Sequence, residues 1–502
     1  MITRKIPATM VTQHPDHASK PYWHYRAYLT TQYETEEAYR SFAELGATEY
    51  NWDWEGKLVD ESVVERFFGD YLDFFKKNPL GEKIFLTFRL PNPRVETEFR
   101  VGRAFMNMVS AASSAKHVGF KVPPLFEVIL PMTETSEEML ALQEAFVELR
   151  SLKHPLYKMD NFLTNLRVIP LFESVSTIIR SDEILRSYVS LYSKRFGKKP
   201  PYMRPYVARS DPALNSGLIP TVLAIKIALS RYKKLEKKLK LPLFPMIGAA
   251  SLPFRGGLTP YTVREFVKEY AGVRTTTIQS AFRYDFPLDD VKKGIRQLEK
   301  LLPKGKPQLI SQQDEEKLQK LIAVSEKYYK EAIESLAPLI NTIAVAIPPR
   351  RERFLHIGLY GYSRGEGKVK LPRAIGFTAC LYSIGLPPEL LGTGQTLAYA
   401  REHKLLPLLE KYYLFLKKDL EFAGRFVNKK NIALLTKSIP YGKKLAQDVC
   451  HIEAYLEKPV GPITQEEKRH EVLSGKVLDS LEDRKKLEQL IKQTALVRKS
   501  LG

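Results

Sequence analysis

The stretch "LRVIPLFESVSTIIRSDEILRSYVSLYSKRF", residues 166–196, joins a short apolar run to a longer segment in which apolar and polar residues alternate at helical spacing. The first part, 166–173, is typical of a buried strand, and 181–196 is typical of a helix. A strand followed by a helix is the repeating unit of a parallel α/β protein. This unit therefore indicates the fold class.

The same unit recurs along the first 300 residues. Strand-like runs are found at 47–55, 83–90, 125–132, 166–173, 203–211, 241–250 and 274–282. Helix-like stretches are found between them, at 61–77, 136–152, 181–196, 219–240 and 259–272. This alternation predicts an eight-stranded β/α (TIM-like) barrel, with an eighth strand from 339–348 or 355–363. An open doubly wound sheet is the alternative, but no Gly-x-Gly-x-x-Gly turn follows the first strand.

The part beyond about residue 300 is mostly helical in pattern. No linker rich in Pro, Gly or Ser, no repeat and no low-complexity segment separates it from the barrel. We therefore expect a single catalytic domain over 1–502, an α/β barrel heavily decorated with helices. Its expected parts are an N-terminal loop and helix (1–46), the main barrel strands (47–300), and the last barrel unit with the C-terminal helices (301–502).

The formal net charge of +21 is the unusual bulk property. It suits either nucleic-acid binding or a site for anionic small molecules. No zinc-finger spacing or aromatic RNA-binding motif supports the first interpretation, so an RNA-binding protein is the minor alternative. The sequence has no run of about 18 apolar residues, and no membrane span is expected. Two cysteines, Cys380 and Cys450, suit a reducing cytoplasm rather than a disulfide framework.

Charged residues stand at or just beyond the ends of six predicted strands. They are Glu55, Arg89, Glu173, Asp211, Arg255 and Arg283. In β/α-barrel enzymes this rim carries the active site. Glu173 and Asp211 form a candidate divalent-metal site, because Mg²⁺ prefers one or two carboxylates together with water and substrate oxygens. Helix capping is the alternative for Asp211, and surface charge is the alternative for Glu173.

Arginines in loops predict anion binding at the same rim. In "FRGGLTP" (254–260), Gly256 and Gly257 let the backbone approach an anion, and Arg255 adds a forked donor. Further arginines in strand-end or Gly-rich loops are Arg89, Arg94, Arg364 and Arg373. Converging arginines suit phosphate and carboxylate groups, whereas a single one is usually half of a surface ion pair.

The stretch "TMVTQHPDHASKPYW" (9–23) precedes any recognisable element and carries His14. A loop histidine is usually solvated surface, and His17 and His24 are interpreted in that way. The role of His14 depends on what the rest of the chain brings within its reach.

Eight ordered blocks together resemble phosphoenolpyruvate carboxylase of the archaeal type. The blocks are "TQHPDH", "FLTFRLPNPRVE", "FEVILPMT", "IPLFES", "ARSDPALNSG", "FRGGLTP", "TIQSAFRYDFP" and "LPRAIGFTACLYSIGLPPELLGTG". The resemblance implies carboxylation of phosphoenolpyruvate with bicarbonate to oxaloacetate and phosphate, an anaplerotic supply of four-carbon acids. It implies Mg²⁺ or Mn²⁺ as cofactor and no biotin. It also implies a cytoplasmic homotetramer, a dimer of dimers, with no nucleic-acid or membrane partner.

The resemblance assigns roles to residues. Glu173 and Asp211 match the metal carboxylates, and His14 matches the essential histidine of a Thr-x-His-Pro motif. The expected catalytic residues are His14, Arg255 and Arg364. The expected substrate-binding residues are Arg89, Arg94, Arg283, Arg373, Gly256 and Gly257. The spacing leaves open whether Arg89 or Arg94 faces the substrate.

The implied reaction begins with attack of bicarbonate on phosphorus, which gives carboxyphosphate and the pyruvate enolate. The metal would stabilise the enolate oxygen, and His14 would take the carboxyl proton. The sequence departs from the long bacterial and plant forms in lacking a second Arg-Gly-Gly and the ending Arg-Asn-Thr-Gly, and Phe254 replaces a glycine. We therefore expect weak inhibition by aspartate and malate. Another phosphoenolpyruvate/pyruvate-type lyase, which would not need His14, is the alternative enzyme.

Overall fold

Parallel strands close into a barrel. The computed structural model describes residues 4–56, 58–96, 99–152, 162–353 and 369–502. Within these ranges eight strands form the barrel, and their order in space follows their order in the chain. The strands are β1 (Thr9–Val11), β2 (Glu49–Asp53), β3 (Phe85–Arg89), β4 (Glu127–Leu130), β5 (Arg167–Phe172), β6 (Tyr206–Ala208), β7 (Met246–Gly248) and β8 (Thr275–Ile278). The predicted β/α barrel is confirmed.

The strand that closes the barrel is β1, which lies in the segment expected to be an N-terminal loop. Met10 pairs with Glu49 of β2 on one side and with Thr277 of β8 on the other. The prediction of the eighth strand at 339–348 is wrong, because most of these residues belong to a helix that ends at Ala344. The other candidate, 355–363, lies outside the described residues. All barrel strands of the described chain therefore precede residue 279.

Helices surround the barrel. Those in the first part are α1 (Glu34–Ala43), α2 (Val63–Lys77), α3 (Arg100–His117), α4 (Ser136–Ser151), α5 (Val175–Phe196), α6 (Ser210–Ser216), α7 (Leu218–Leu239), α8 (Val263–Glu269), α9 (Ser280–Tyr284) and α10 (Leu288–Leu301). Those in the second part are α11 (Gln312–Ala344), α12 (Ala374–Ser383), α13 (Thr393–Glu402), α14 (Leu406–Tyr412), α15 (Leu416–Gly424), α16 (Lys429–Ser438), α17 (Gly442–Leu456), α18 (Gln465–Leu478) and α19 (Arg484–Arg498). Short 3-10 helices lie at Thr31–Tyr33, Pro253–Arg255, Leu302–Lys304 and Pro388–Leu390.

A helix cap fixes the end of β5. The Ser174 hydroxyl accepts a hydrogen bond of 3.1 Å from the backbone N–H of Thr177, so α5 begins six residues before the predicted stretch 181–196. Such caps satisfy backbone donors that the first helical turn leaves unpaired. Because Ser174 follows Glu173 directly, the cap also holds Glu173 at the carboxyl end of the strand.

The barrel interior changes from ionic to apolar along its axis. At the amino-terminal end Arg204 forms ion pairs of 2.6 Å with Glu49 and Glu127, and all three side chains are buried. An apolar layer follows, made of Met10, Ile129, Ile169, Leu171, Tyr206, Ala208 and Met246. The amino-terminal end is therefore filled by side chains, and the space for a ligand lies at the opposite end.

The C-terminal helices pack on the barrel helices. The long helix α11 contacts α7 on one side and α12 on another, and α12 also contacts α19. Almost every residue of α12 is buried. In the described ranges no single helix is long and apolar enough to cross a membrane. The pair Ala374–Ser383 and Pro388–Glu402 is long and apolar enough when taken together, but it is bent by 92°.

A buried histidine of α18 makes stability depend on pH. In the part of the chain that the structure describes, neither ring nitrogen of His470 has a hydrogen-bond partner. Burial, and secondarily the charge of Arg498, lower the pKa of His470 to about 3. The unfolded chain therefore binds a proton below about pH 6.5 that the folded chain does not bind, so this contribution to stability falls as the pH falls from about 6.5 towards 3.

Replacing this histidine should flatten the acid side of the stability profile. For His470→Leu we expect the loss of unfolding free energy between pH 7 and pH 5 to be smaller than in the parent by about 2 kcal/mol. Urea unfolding at the two pH values, followed by circular dichroism, measures this difference. His451→Leu changes an exposed histidine of α17 and is the matched control. An equal loss in parent and His470→Leu would contradict the expectation.

Candidate active site

A cavity of about 600 Å³ lies at the carboxyl end of the barrel strands. Six of the residues singled out in the sequence line it: His14, Arg89, Glu173, Asp211, Arg255 and Arg373. They come from the last residue of β3, from the segments that follow β1, β5, β6 and β7, and from the residue before α12. The cavity therefore has histidine, carboxylate and guanidinium groups on its walls, which suits an anionic substrate together with a metal ion.

His14 enters the cavity three residues after β1. Its Nδ1 lies 2.9 Å from the hydroxyl of Thr12, which leaves Nε2 available to the cavity. Burial lowers the pKa of His14 well below its usual value, and the positive charges of Arg89 and Arg255 lower it further. The imidazole is therefore neutral at neutral pH, the form that can accept a proton.

Two carboxylates stand on neighbouring strand ends. Glu173 follows β5, and one of its oxygens accepts a hydrogen bond of 2.6 Å from the backbone N–H of Met132. Asp211 lies in the first turn of α6, after β6, where no side-chain cap forms. Burial raises the pKa of Tyr206, and the charges of Glu173 and Asp211 raise it further, so both carboxylates act on one side chain of the cavity.

This donor set fits a hard divalent cation. No group of three or more His, Cys, Asp or Glu residues among the described residues has the arrangement of a metal cage. Mg²⁺ needs no such cage, because it keeps several waters and binds one or two carboxylates together with substrate oxygens. Glu173 and Asp211, open to the same cavity, supply that number of carboxylates.

Arg89 is held rigidly by two acids at or just beyond the end of the preceding strand, β2. Its guanidinium forms a two-bond contact with Asp53, at 2.7 and 2.8 Å, and a third contact of 3.0 Å with Glu55. Arg373 approaches Glu55 from the other side at 3.5 Å. Asp53 and Glu55 therefore keep two cationic side chains at the cavity wall.

Arg94 lies outside this cavity. Its side chain is 42% exposed and pairs with Glu134 at 2.7 Å and with Glu138 at 3.4 Å. Arg89 is the last residue of β3, whereas Arg94 lies in the following loop, beyond the rim. The geometry therefore favours Arg89 over Arg94 as the residue that faces a ligand.

The two arginines are expected to differ in their effect on activity. We expect Arg89→Gln to lower kcat/KM by about 10²-fold, since it removes a fixed cationic donor from the cavity. Arg94→Gln should leave kcat/KM within about twofold of the parent, because it breaks a surface ion pair and a hydrogen bond to the carbonyl oxygen of Met132, both made by an exposed side chain. Steady-state rates of both variants with the same substrate measure this. A comparable loss in Arg94→Gln would contradict the assignment.

Arg255 is enclosed by four elements. Its Nε donates to the Ser210 hydroxyl at 3.0 Å, and its Nη2 donates to Gln279 Oε1 at 2.8 Å. Its Nη1 lies 3.4 Å from the Asp16 carboxylate and donates to the carbonyl oxygen of Gly502. Arg255 thus ties β8, α6 and both terminal segments to one point of the cavity wall.

The glycines after Arg255 allow the backbone to make a tight turn. Gly256 has a φ of 123°, and a Cβ there would come within 2.8 Å of the Ala249 side chain. Arg209 holds the same turn, because its guanidinium donates to the carbonyl oxygens of Pro253 and Phe254 at 3.2 and 2.9 Å. Neither Gly256 nor Gly257 is among the described residues that line the cavity.

One further expected site residue, Arg283, is not among the described residues that line the cavity. Arg283 is buried behind its wall, where it donates to Glu37 at 3.0 Å and to the carbonyl oxygen of Thr12 at 2.9 Å. Arg364 lies outside the described residues. His17 and His24, interpreted as solvated, are buried, and His17 Nε2 lies 2.8 Å from the carbonyl oxygen of Ala27.

Several arginines of the cavity were missed in the sequence. They are Arg209, Arg350, Arg351, Arg353 and Arg484. The last four lie far beyond the barrel strands, on the segment after α11 and at the start of α19. The basic run "PPRRER" (348–353) is the signal that could have found three of them.

The chain is similar to known proteins over nearly its whole length. A family model described as phosphoenolpyruvate carboxylase matches residues 6–502. The chain is 38% identical to a phosphoenolpyruvate carboxylase of Metallosphaera sedula, covering 99% of this chain and 100% of that protein. It is 41% identical to one of Pyrococcus horikoshii, covering 84% and 88%. It is 37% identical to one of Leuconostoc mesenteroides, covering 95% of each chain.

Proposed function

The chain belongs to the archaeal-type phosphoenolpyruvate carboxylase family, and from that premise we propose that the cavity at the carboxyl end of the barrel is its catalytic site. The enzyme carboxylates phosphoenolpyruvate with bicarbonate and forms oxaloacetate and phosphate. The observation that carries the proposal is the meeting of His14, the Glu173–Asp211 pair and three arginines in one cavity of about 600 Å³.

Positive charge prepares the cavity for two anions. Arg89, Arg255 and Arg373 line the cavity and carry positive charge, whereas Glu173 and Asp211 line it and carry negative charge. Bicarbonate attacks phosphorus, the bond from phosphorus to the enol oxygen breaks, and carboxyphosphate and the pyruvate enolate form. Fixed guanidinium groups stabilise the charge that spreads over the transferring phosphoryl oxygens. Their rigid contacts with Asp53 and Asp16 lower the cost of orienting them.

His14 serves as the base of the second step. Carboxyphosphate gives its carboxyl proton to Nε2 of the neutral imidazole and breaks into carbon dioxide and phosphate. The enolate carbon then attacks carbon dioxide to form oxaloacetate. The hydrogen bond to Thr12 orients the ring. The depressed pKa of the free imidazole is opposed by the negative charges of the bound substrates, which favour the protonated form as the proton arrives.

Members of this family use a divalent metal. We propose that Glu173 and Asp211 hold Mg²⁺ or Mn²⁺, which supplies a Lewis acid for the enolate oxygen, and that no biotin takes part. A cytoplasmic homotetramer, built as a dimer of dimers, stays a prediction that derives from the resemblance in sequence. A single catalytic domain over 1–502 stays a prediction that derives from the absence of a linker in the sequence.

A coupled assay tests the proposal. Purified protein is given phosphoenolpyruvate, bicarbonate and Mg²⁺, and malate dehydrogenase with NADH reports oxaloacetate. Loss of NADH that needs bicarbonate and metal, but no nucleotide, is the expected result. Release of phosphate without oxaloacetate would contradict the role of His14. No turnover of phosphoenolpyruvate with any divalent metal would contradict the assignment of the cavity and favour another lyase reaction.

A further inference from the structure

Arg353 is a cationic group of the cavity that the proposed mechanism does not use. It lines the cavity and lies nine residues after the end of α11. The residue is half-buried, but its Nη1 is buried and has no hydrogen-bond partner among the described residues. A buried guanidinium nitrogen without an acceptor is costly, because it has lost water and gained nothing in exchange. Such a group is poised for an acceptor that arrives with a ligand.

The acids near Arg353 are already engaged by other arginines. Both oxygens of Asp53 accept from Arg89, at 2.8 and 2.7 Å. Glu55 contacts Arg89 at 3.0 Å and Arg373 at 3.5 Å. Two carboxylates therefore face three guanidinium groups on this wall. Burial, and secondarily the neighbouring charge of Arg373, lower the pKa of Arg353 to about 10, so an anion would be bound favourably here.

Arg353 and His14 line the same cavity. The charge of Arg353 is among those that lower the pKa of His14, after burial and the charges of Arg89 and Arg255. The charges that act most strongly on Arg353 itself come from Arg373, Asp53, Arg89 and Glu55, and the candidate metal ligands are not among them. An anion bound by the unpartnered Nη1 of Arg353 would therefore lie in the cavity that His14 also lines.

In the proposed reaction the anion beside His14 is the one that loses its proton to it. We propose that Arg353 is a substrate-binding residue that holds bicarbonate, and then the carboxyphosphate made from it, next to His14. The forked guanidinium matches the geometry of a carboxylate-like group. This inference rests on the proposed catalytic site, since without that site no bicarbonate would be placed beside the histidine.

Arg353→Gln is the decisive variant. Removal of one charge-assisted contact is expected to raise the KM for bicarbonate by about 10- to 100-fold. The KM for phosphoenolpyruvate, measured at saturating bicarbonate, should change by less than about threefold, because the contacts of the other arginines are kept. The ratio of pyruvate to oxaloacetate should also rise, since the enolate would form with its carbon dioxide source less well held. Rates over both substrates, with lactate and malate dehydrogenase as reporters, measure these quantities.

Two comparisons separate binding from a structural role. Arg353→Lys keeps the charge but not the fork, and its KM for bicarbonate should fall between those of the parent and Arg353→Gln. Arg425→Gln changes an arginine that is 48% exposed, 3.9 Å from Glu467, and should match the parent in both KM values. If Arg353→Gln did not fold, which a lost circular dichroism signal would show, Arg353→Lys would test the role instead. Its KM for bicarbonate should rise while its KM for phosphoenolpyruvate stays close to that of the parent.

The outcomes distinguish this inference from the proposed function. A bicarbonate KM within twofold of the parent in a folded Arg353→Gln variant, or an equal rise in both KM values, would overturn the role of Arg353 and leave the catalytic site untouched. Absence of bicarbonate-dependent turnover in the parent protein would instead overturn the proposed function itself.

Discussion

His14→Asn is expected to lower the rate of oxaloacetate formation by about 10³-fold while phosphoenolpyruvate is still bound. Asparagine can keep a hydrogen bond to Thr12, which lies 2.9 Å from Nδ1 of the histidine, but it cannot take a proton at neutral pH. Carboxyphosphate would then persist beside the enolate, and solvent would protonate part of the enolate to pyruvate. Parallel assays with malate dehydrogenase and lactate dehydrogenase measure both products.

The matched control is His117→Asn, at an exposed histidine near the end of α3 whose Nδ1 lies 2.8 Å from the carbonyl oxygen of Ser113. This variant should retain the parent activity, because it lies outside the cavity. A His14→Asn enzyme that forms oxaloacetate within about tenfold of the parent rate would contradict the role of His14 as the base.

The pair Glu173→Gln with Asp211→Asn is expected to abolish tight metal binding and to lower kcat/KM by about 10³-fold or more. The changes remove two negative charges while keeping the size of both side chains. Glutamine also keeps an acceptor for the Met132 N–H, 2.6 Å from Glu173, so the loop after β4 should hold its place. Calorimetric titration of the protein with Mn²⁺ reports the metal site independently of turnover.

A surface pair provides the comparison. Glu134→Gln with Asp290→Asn removes the same charge from an exposed and a half-buried position outside the cavity, where Glu134 contacts Arg94 and Asp290 accepts from Tyr261. It should bind Mn²⁺ as the parent does. Mn²⁺ binding of parental strength in the Glu173/Asp211 variant would assign the metal to other residues.

The limits of the sequence are clearest at β1. "TMV" is three residues long, and no periodicity can be read from so short a run, so the segment 9–23 was interpreted as a loop. Its strand conformation comes from pairing with β2 and β8, which are partners distant in the chain. The other seven strands lie in predicted apolar runs of eight to ten residues, which can be recognised without tertiary information, although β6 and β7 themselves have only three residues each.

Some residues of the candidate site could likewise be predicted from the sequence, and others could not. Glu173, Asp211 and Arg89 could be found because each stands at or just beyond the end of a predicted strand, and strand ends of a barrel meet at one rim. Arg353 could not be found by this rule, whereas Arg209, the residue directly after β6, satisfies the rule and was missed. Arg353 reaches the cavity because a segment outside the barrel packs there. Arg209 lies between a strand and the start of a helix, and in the sequence the neighbouring Asp211 was taken as the functional residue of that position.

The closing of the barrel by β1 has a consequence for the way the enzyme is made. Thr9 and its partner Thr276 are about 270 residues apart, and a ribosome that adds about 5–20 residues per second needs tens of seconds to supply the second strand. During this time the segment that carries His14 has emerged, but of the two strands that pair with β1 only β2 has been synthesised. Arg373 and Leu501, which also line the cavity, emerge later still. A nascent chain therefore cannot complete this cavity before Leu501 has been synthesised.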